Sequence, residues 1–322
     1  MYQPTLAQLD AAAAIVYRAM PPTPQYNWPQ IDHALGVQAW IKHENHTPLG
    51  AFKARGGVVY MDALVKREPE LRGVLAATRG NHGQSVAFAA ARHGLAATIY
   101  VPFGNSVEKN AAMRALGAQL IEAGADFQEC RELAQAKASE DGLHMVPSWH
   151  EDLVAGVASG WLELLRAQPD LDLVLVPIGQ GSGICAAIAA RNALGLKTRV
   201  IGVVSSHAPA YQLSFRAGQS VSAPATTVLA DGMACRQPDP QSLASILEYA
   251  DDIVAVTDDE VAHAMRLYYR ATHNLAEGAG AGALAAAMQM KDRPAFKGRK
   301  LGLPLTGGNV DAELFRHVLQ GP

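Results

Sequence analysis

Apolar positions fall into two registers along this chain. Some form short unbroken runs, which read as buried strands; others return every third or fourth residue, which reads as helix. Residues 5–18 carry the helical period behind Thr5 as N-cap, and Met20–Pro24 is a proline-rich loop. Gln38–His43 reads as a strand. A helical pattern starts at Phe52, with Val58, Val59, Met61, Ala63 and Leu64 as its apolar positions. Gly73–Ala77, Ala97–Val101 and Gln119–Ile121 read as strands, each followed by a helix. These helices are Ser85–His93 (stopped by Gly94), Ser106–Leu116 (capped by Ser106, closed by Gly117) and Asp126–Glu140. A long helix is expected over His150–Ala167. The strongest buried strand, Leu171–Ile178, runs into a helix over Ile184–Leu194. Arg199–Val204, Asp252–Val256 and Lys300–Pro304 are the remaining strands. Thr257 caps an acidic first turn, residues 205–235 read as irregular, and glycine-rich Asn274–Gly282 leads into a helix over Ala283–Met290. Strand, loop and helix alternate, so the expected fold class is α/β with right-handed parallel crossovers.

Composition narrows the class. A chain of 322 residues makes one large domain or two modest ones and can bury a full core without cross-links. A net charge of −3 gives no reason to expect nucleic acid or an anionic membrane as partner. Cys130, Cys185 and Cys235 are odd in number and far apart, which suits a reducing compartment better than a disulfide framework. No stretch has the form of a signal peptide or the length of a membrane span, so a cytoplasmic protein is expected. Abundant alanine and glycine with few aromatics suit helices packed closely on a parallel sheet.

Candidate chemistry sits in the loops that follow strands. In parallel sheets such loops gather at the carboxyl edge, where ligands bind. Gly179-Gln180-Gly181-Ser182-Gly183 can present several backbone N–H groups and a hydroxyl at a helix start, which makes it a phosphate cradle; a tight turn without a ligand is the plain alternative. A dinucleotide fingerprint would need glycine where Ile184 stands and an acid near Val203–Ser206, and neither is present. Thr78-Arg79-Gly80-Asn81-His82 is a second anion-binding candidate, and Thr306-Gly307-Gly308-Asn309 places a neutral hydroxyl at a strand end. Lys53, beside Phe52 at a loop-to-helix junction, is a candidate nucleophile if its surroundings lower its pKa. His43, Glu44 and His46 match neither metal-helix spacing, so a polar turn is expected there and no metal site.

Lys53 in Ala51-Phe52-Lys53-Ala54-Arg55-Gly56, then Gly80-Asn81-His82, the glycine-rich loop and Thr306-Gly307-Gly308-Asn309 occur in one order. That order resembles the fold type II pyridoxal-phosphate enzymes of the threonine dehydratase and serine racemase family, over about Lys42 to Asn309. The resemblance implies pyridoxal 5'-phosphate as cofactor, carried on Lys53 beside Phe52. It implies that Asn81 holds the pyridoxal O3′, that Gly179, Gln180, Gly181, Ser182 and Gly183 hold the phosphate, and that Thr306 faces the pyridine nitrogen. The backbone of Thr78, Arg79, Gly80, Asn81 and His82 would clasp the carboxylate of an amino-acid substrate. Asp231-Gly232 and Glu277 match family loop positions near the active site. It also implies two parallel-sheet domains, with 1–66 and 152–322 forming the large cofactor-binding domain and 67–151 the small one, and a homodimer.

The implied reaction is β-elimination. A neutral Thr306 makes the cofactor a weaker electron sink than a carboxylate would, which favours loss of a β-group over transamination. Lys53 would remove the Cα proton and the β-hydroxyl would leave as water, giving a 2-oxo acid and ammonia. Threonine/serine and phenylserine are the expected substrates, with 3-hydroxyaspartate dehydration or β-replacement as alternatives. Departures from the family matter. Ala51 stands where many relatives carry serine, and Arg79 stands where racemases of this type carry their second acid/base, so racemisation is expected to be weak. Arg79 reads equally as a carboxylate contact or an outward charge. Val204, Ala208 and Ala210 occupy positions where some relatives bind a divalent ion. The short run beyond Asn309 gives no reason to expect feedback control.

Overall fold

The buried apolar runs become the strands of two sheets in the computed structural model, which describes residues 2–321. In chain order the strands are β1 (Gln25–Asn27), β2 (Gln38–His43), β3 (Gly73–Ala77), β4 (Ala96–Val101), β5 (Gln119–Glu122), β6 (His144–Met145), β7 (Leu173–Pro177), β8 (Arg199–Ser205), β9 (Asp252–Val256) and β10 (Lys300–Leu305). The helices are α1 (Leu6–Tyr17), α2 (Pro29–Leu35), α3 (Lys53–Arg67), α4 (Asn81–Ala91), α5 (Val107–Ala115), α6 (Phe127–Asp141), α7 (Glu151–Ala167), α8 (Ser182–Ala193), α9 (Ala210–Ala217), α10 (Pro240–Tyr249), α11 (Asp258–Thr272), α12 (Gly278–Met290) and α13 (Ala312–Gln320).

One sheet runs β1-β2-β10-β7-β8-β9 and the other β5-β4-β3-β6. Every pairing is parallel except β1 against β2, where Gln25 faces Lys42. That antiparallel edge strand is an addition to the expected parallel sheets; three residues are too short to register as a periodic signal. Both faces of the larger sheet are covered. Leu173 and Leu175 point into a core with α11 and α12, while Val174 and Val176 point into one with α7 and α8. The smaller sheet repeats this, with Val74 and Ala76 packed toward α3 and α4 and Leu75 and Ala77 toward α6. Double coverage is why these strands read as unbroken apolar runs rather than alternating ones.

Two helices start earlier than their patterns suggest. The helix expected from Ser85 begins at Asn81, because Gly83 is a packing residue and not a breaker. A Cβ there would lie 2.5 Å from Met113 Sδ and 2.6 Å from the Thr78 methyl. The helix expected from Ala283 begins at Gly278 for the same reason: a Cβ on Gly278 would meet Leu229 O at 2.0 Å, and one on Gly280 would meet Gly307 O at 2.2 Å. The stretch 205–235 is not wholly irregular, since α9 lies inside it.

Candidate active site

Three strand ends open into one cavity between the sheets. The loops after β3, β7 and β10 line it together with the N-terminus of α3, and it takes in the residues expected to meet cofactor and substrate: Phe52, Lys53, Thr78–His82, Gly179–Gly183 and Thr306. Its remaining wall includes Lys109, Phe127, Ser148, Asp231 and Glu277.

Lys53 is the first residue of α3. The turn before it is tied to the β10 loop by Phe52 N donating to Thr306 O (2.9 Å) and by a bridge between Ala51 and Gly307. The Lys53 Nζ donates to Ser182 Oγ at 3.0 Å and stands 5.0 Å from the centre of the Phe52 ring. Burial disfavours its ammonium form and lowers the pKa to about 8.

The loop after β7 turns at Gly181, whose φ of +94° lies in the left-handed region. A Cβ on Gly181 would fall 2.5 Å from the Ser242 Cβ, and one on Gly179 would fall 2.3 Å from Gly232 O. Tyr211 OH donates to Gln180 O (3.1 Å) and pairs with Ser242 Oγ (2.5 Å), bracing the loop from behind. The Gln180 amide is turned toward Cys235 Sγ, 3.6 Å away. Helix α8 starts at Ser182, so the N–H groups of its first turn have no acceptor within the helix until Cys185 N reaches Gly181 O (3.0 Å).

The loop after β3 is folded by Thr78, whose Oγ1 accepts from Gly80 N at 2.9 Å and Gly83 N at 3.4 Å. Helix α4 then opens with Asn81 and His82, whose N–H groups are likewise free of intrahelical acceptors. Two helix N-termini therefore face one cavity. The Asn81 side chain donates to Glu277 Oε1 (2.6 Å) and accepts from Asn309 Nδ2 (2.8 Å), which leaves its second amide N–H available. Burial, reinforced by nearby Lys53, pushes the His82 pKa down to about 3, so its imidazole is neutral. Arg79 is exposed at the cavity rim.

Lys109 is the residue that sequence reasoning missed. It is buried on α5, and its Nζ lies 2.7 Å from Asp231 Oδ2 and 3.3 Å from Glu277 Oε2. The signal was its place on the otherwise expected helix after Ser106; its partners come from loops more than a hundred residues away. The His43, Glu44 and His46 stretch forms a turn in which the two imidazole rings lie 5.2 Å apart and each side chain has another partner. Glu44 is held by Arg55, His43 Nε2 accepts from Trp28 Nε1 (3.0 Å), and His46 meets Asn274 (2.7 Å).

Comparison with known proteins decides the family. A model described as pyridoxal-phosphate dependent enzyme matches residues 16–307. The chain belongs to that family, and its cofactor is pyridoxal phosphate. It is 32% identical over 290 residues to an L-threonine ammonia-lyase of Thermotoga maritima, covering 90% of this chain and 71% of that enzyme. It is 30% identical over 324 residues to the L-threo-3-hydroxyaspartate ammonia-lyase of Saccharomyces cerevisiae, covering 100% and 98% respectively. Among solved structures, the processed threonine deaminase isoform 2 of Solanum lycopersicum superposes with a TM-score of 0.90 at 27% identity, over 99% of this chain and 95% of that one. The two parallel-sheet domains are thus those of fold type II.

The cavity of this pyridoxal-phosphate enzyme fits the cofactor. Gly179 and Gly181 are fixed by protein packing, but a Cβ on Gly183 would approach nothing closer than 3.8 Å. Protein packing leaves room for a side chain at Gly183, and a phosphate lying against the start of α8 would fill it. An amine with a depressed pKa stands at the same loop.

Proposed function

We propose that this lyase removes water from a 3-hydroxy amino acid of the threonine/serine or phenylserine type and releases a 2-oxo acid and ammonia. One observation carries the reading: the Lys53 amine, made easier to deprotonate by burial, reaches Ser182 at 3.0 Å in a cavity onto which two helix N-termini open. Each N-terminus suits one anion, α8 the cofactor phosphate and α4 the substrate carboxylate. When bound, pyridoxal phosphate supplies a carbonyl that condenses with amines and a ring that withdraws electrons from the substrate Cα. Lys53 holds the cofactor and, once displaced by the substrate amine, accepts the Cα proton. With a pKa of about 8, roughly a tenth of such amines are neutral at pH 7, enough for a general base. The free N–H of Asn81 serves the ring oxygen, and the neutral Thr306 hydroxyl serves the ring nitrogen. The backbone of Thr78–His82 binds the carboxylate.

A second reading is favoured by Arg79. It is exposed on the cavity rim with no ion pair among the described residues, and its charge suits a substrate with a second carboxylate, 3-hydroxyaspartate. The relative from Saccharomyces cerevisiae named for that substrate adds support. A panel of L-threonine, phenylserine and 3-hydroxyaspartate, scored by 2-oxo acid release, tests both readings. Preference for 3-hydroxyaspartate that is lost in Arg79→Gln supports the second, and release of no 2-oxo acid from any of the three refutes both.

We further propose the division into 1–66 with 152–322 and 67–151; the strands β3–β6 lie within 67–151 and the others outside it. A homodimer is proposed from family resemblance, and cytoplasmic residence from three buried free thiols.

A further inference from the structure

We propose that Ala77, Phe127 and Ser148 form the pocket for the two groups on the substrate Cβ, and that this pocket selects an aryl group. Ala77 and Phe127 take the ring, and the Ser148 hydroxyl takes the β-hydroxyl. The inference rests on the elimination reading above and deepens it, since that reading leaves the β-substituent open.

All three residues line the cavity and belong to the smaller sheet. The cofactor side comes from the larger sheet, through the β7 loop and Thr306, and from Lys53 at the start of α3. The substrate carboxylate goes to the loop after β3, which sets Cα beside the smaller sheet. Strand β6 pairs with β3, and Val146 N donates to Leu75 O at 2.8 Å. The chain leaving β6 therefore runs beside the carboxylate loop and brings Ser148 to the cavity. Helix α6 covers the adjoining face of β3, where Ala77 and Phe127 pack in one apolar cluster with Leu75. Phe127 is the first residue of α6; that cluster buries it only in part, and the ring also lines the cavity.

This wall is apolar at one place and hydrogen-bonding at another. The Ser148 hydroxyl makes no hydrogen bond among the described residues, so it can donate to a substrate oxygen. The Phe127 ring offers a face or edge to a second ring. Together they match the hydroxyl and the ring of a 3-aryl-3-hydroxy amino acid. A carboxylate in the same place would be desolvated against Ala77 and Phe127 with no cation of its own. Lys109 is already paired with Asp231 and Glu277, and Arg79 stands at the exposed rim. A methyl group would leave the Phe127 ring uncovered. Exchanging the two groups on Cβ would set the hydroxyl against Phe127 and the ring against Ser148. The pocket therefore also separates the threo and erythro forms.

The test gives cofactor-loaded enzyme both diastereomers of phenylserine, threonine and 3-hydroxyaspartate, and scores 2-oxo acid release. In wild type, kcat/KM for one phenylserine diastereomer should exceed each of the other three values by about 10-fold or more. Phe127→Leu, which stays apolar, should cut the ratio of phenylserine to threonine by about 2–10-fold, and Phe127→Tyr should restore it. Ser148→Ala should cut the ratio between the diastereomers by about 2–10-fold, the usual worth of one neutral hydrogen bond. Phenylalanine, which has the ring but no leaving group, gives a readout without turnover. Its binding, followed by the shift in cofactor absorbance, should be tighter than that of 2-aminobutyrate in wild type, by a margin that shrinks in Phe127→Leu. Wild-type preference for threonine or 3-hydroxyaspartate, no tighter binding of phenylalanine, or either ratio unmoved in its variant overturns the pocket while leaving the elimination reading standing. Release of no 2-oxo acid from any of the substrates overturns both.

Discussion

Arg55 on α3 grips Glu163 on α7 with two hydrogen bonds of 2.7 and 3.0 Å. The same guanidinium holds Glu44 at 2.7 and 2.9 Å, and Lys42 Nζ reaches Glu163 at 2.5 Å. Two cations and two anions thus close on one another beneath the helix that begins with Lys53, and Arg55 is fully buried. Removing one partner of such a cluster strands the others. Arg55→Met should cost about 3–5 kcal/mol of unfolding free energy. Chemical denaturation measures it, and an unchanged midpoint would contradict the role given to this cluster.

The same cluster sets an acid limit. Burial pushes the Glu44 carboxyl up most strongly, but the charge and hydrogen bonds of Arg55, the charge of Lys42 and the hydrogen bond from Thr23 together outweigh it and hold the group below the usual carboxylate range. A folded-state pKa below the unfolded one contributes stability that is fully present above the unfolded value, near 4.3 for an ordinary glutamate, and lost as pH falls through the folded value. Denaturation midpoints should therefore drop below about pH 4. In Glu44→Gln this component of the drop should be absent, on top of a lower starting stability.

The phosphate-side loop depends on one glycine. Alanine at Gly181 would be strained at φ +94° and would press on Ser242, 2.5 Å from its Cβ. The left-handed conformation alone costs about 1–2 kcal/mol. Gly181→Ala should weaken cofactor retention by about 10-fold or more, since the loop that would hold the phosphate must shift. Gly183→Ala meets no protein atom closer than 3.8 Å, so it should leave the fold stable while also weakening retention. Equilibrium dialysis of the cofactor with parallel thermal melts separates the two effects.

Much of this site is legible in the sequence, and the reason is physical. Strands buried on both faces leave apolar runs that end abruptly where the loop begins, so Thr78–His82, Gly179–Gly183 and Thr306 stand out at strand ends. What stays hidden depends on contacts between distant segments. The partners of Lys109 are Asp231 and Glu277, and those of Arg55 are Glu44 and Glu163; no local period links them. Gly83 and Gly278 look like breakers because their close packing against Met113 and Leu229 is invisible along the chain. Helix α10 did carry a local signal, Asp239 before Pro240, and Asp239 Oδ1 indeed accepts from Gln241 N and Ser242 N at 2.9 Å.

The Lys109 bridge joins α5, on the smaller sheet, to loops of the larger one. Lys109→Met leaves the buried Glu277 carboxylate without its cation, and Asn81 is hydrogen-bonded to that carboxylate. Loss of the cation should lower unfolding free energy by about 3 kcal/mol or more. Adding Glu277→Gln, which keeps an acceptor for Asn81, should recover part of the loss. A double-mutant cycle by denaturation reads the coupling; strict additivity would contradict the bridge.

The amine of Lys53 should show its environment before any substrate is added. With its pKa lowered by burial to about 8, the rate at which cofactor-free protein captures pyridoxal phosphate should rise with pH, pass its midpoint near 8 and level off. A midpoint near the ordinary lysine value, about 10.4, would show that the amine is not desolvated.

The central claim is that Lys53 carries the cofactor. Holoprotein treated with borohydride, digested and read by mass spectrometry tests it directly. One pyridoxyl group is expected, on Lys53, and none in Lys53→Ala treated the same way. A pyridoxyl group on another lysine, or visible cofactor absorbance that survives in Lys53→Ala with the label intact, would contradict it.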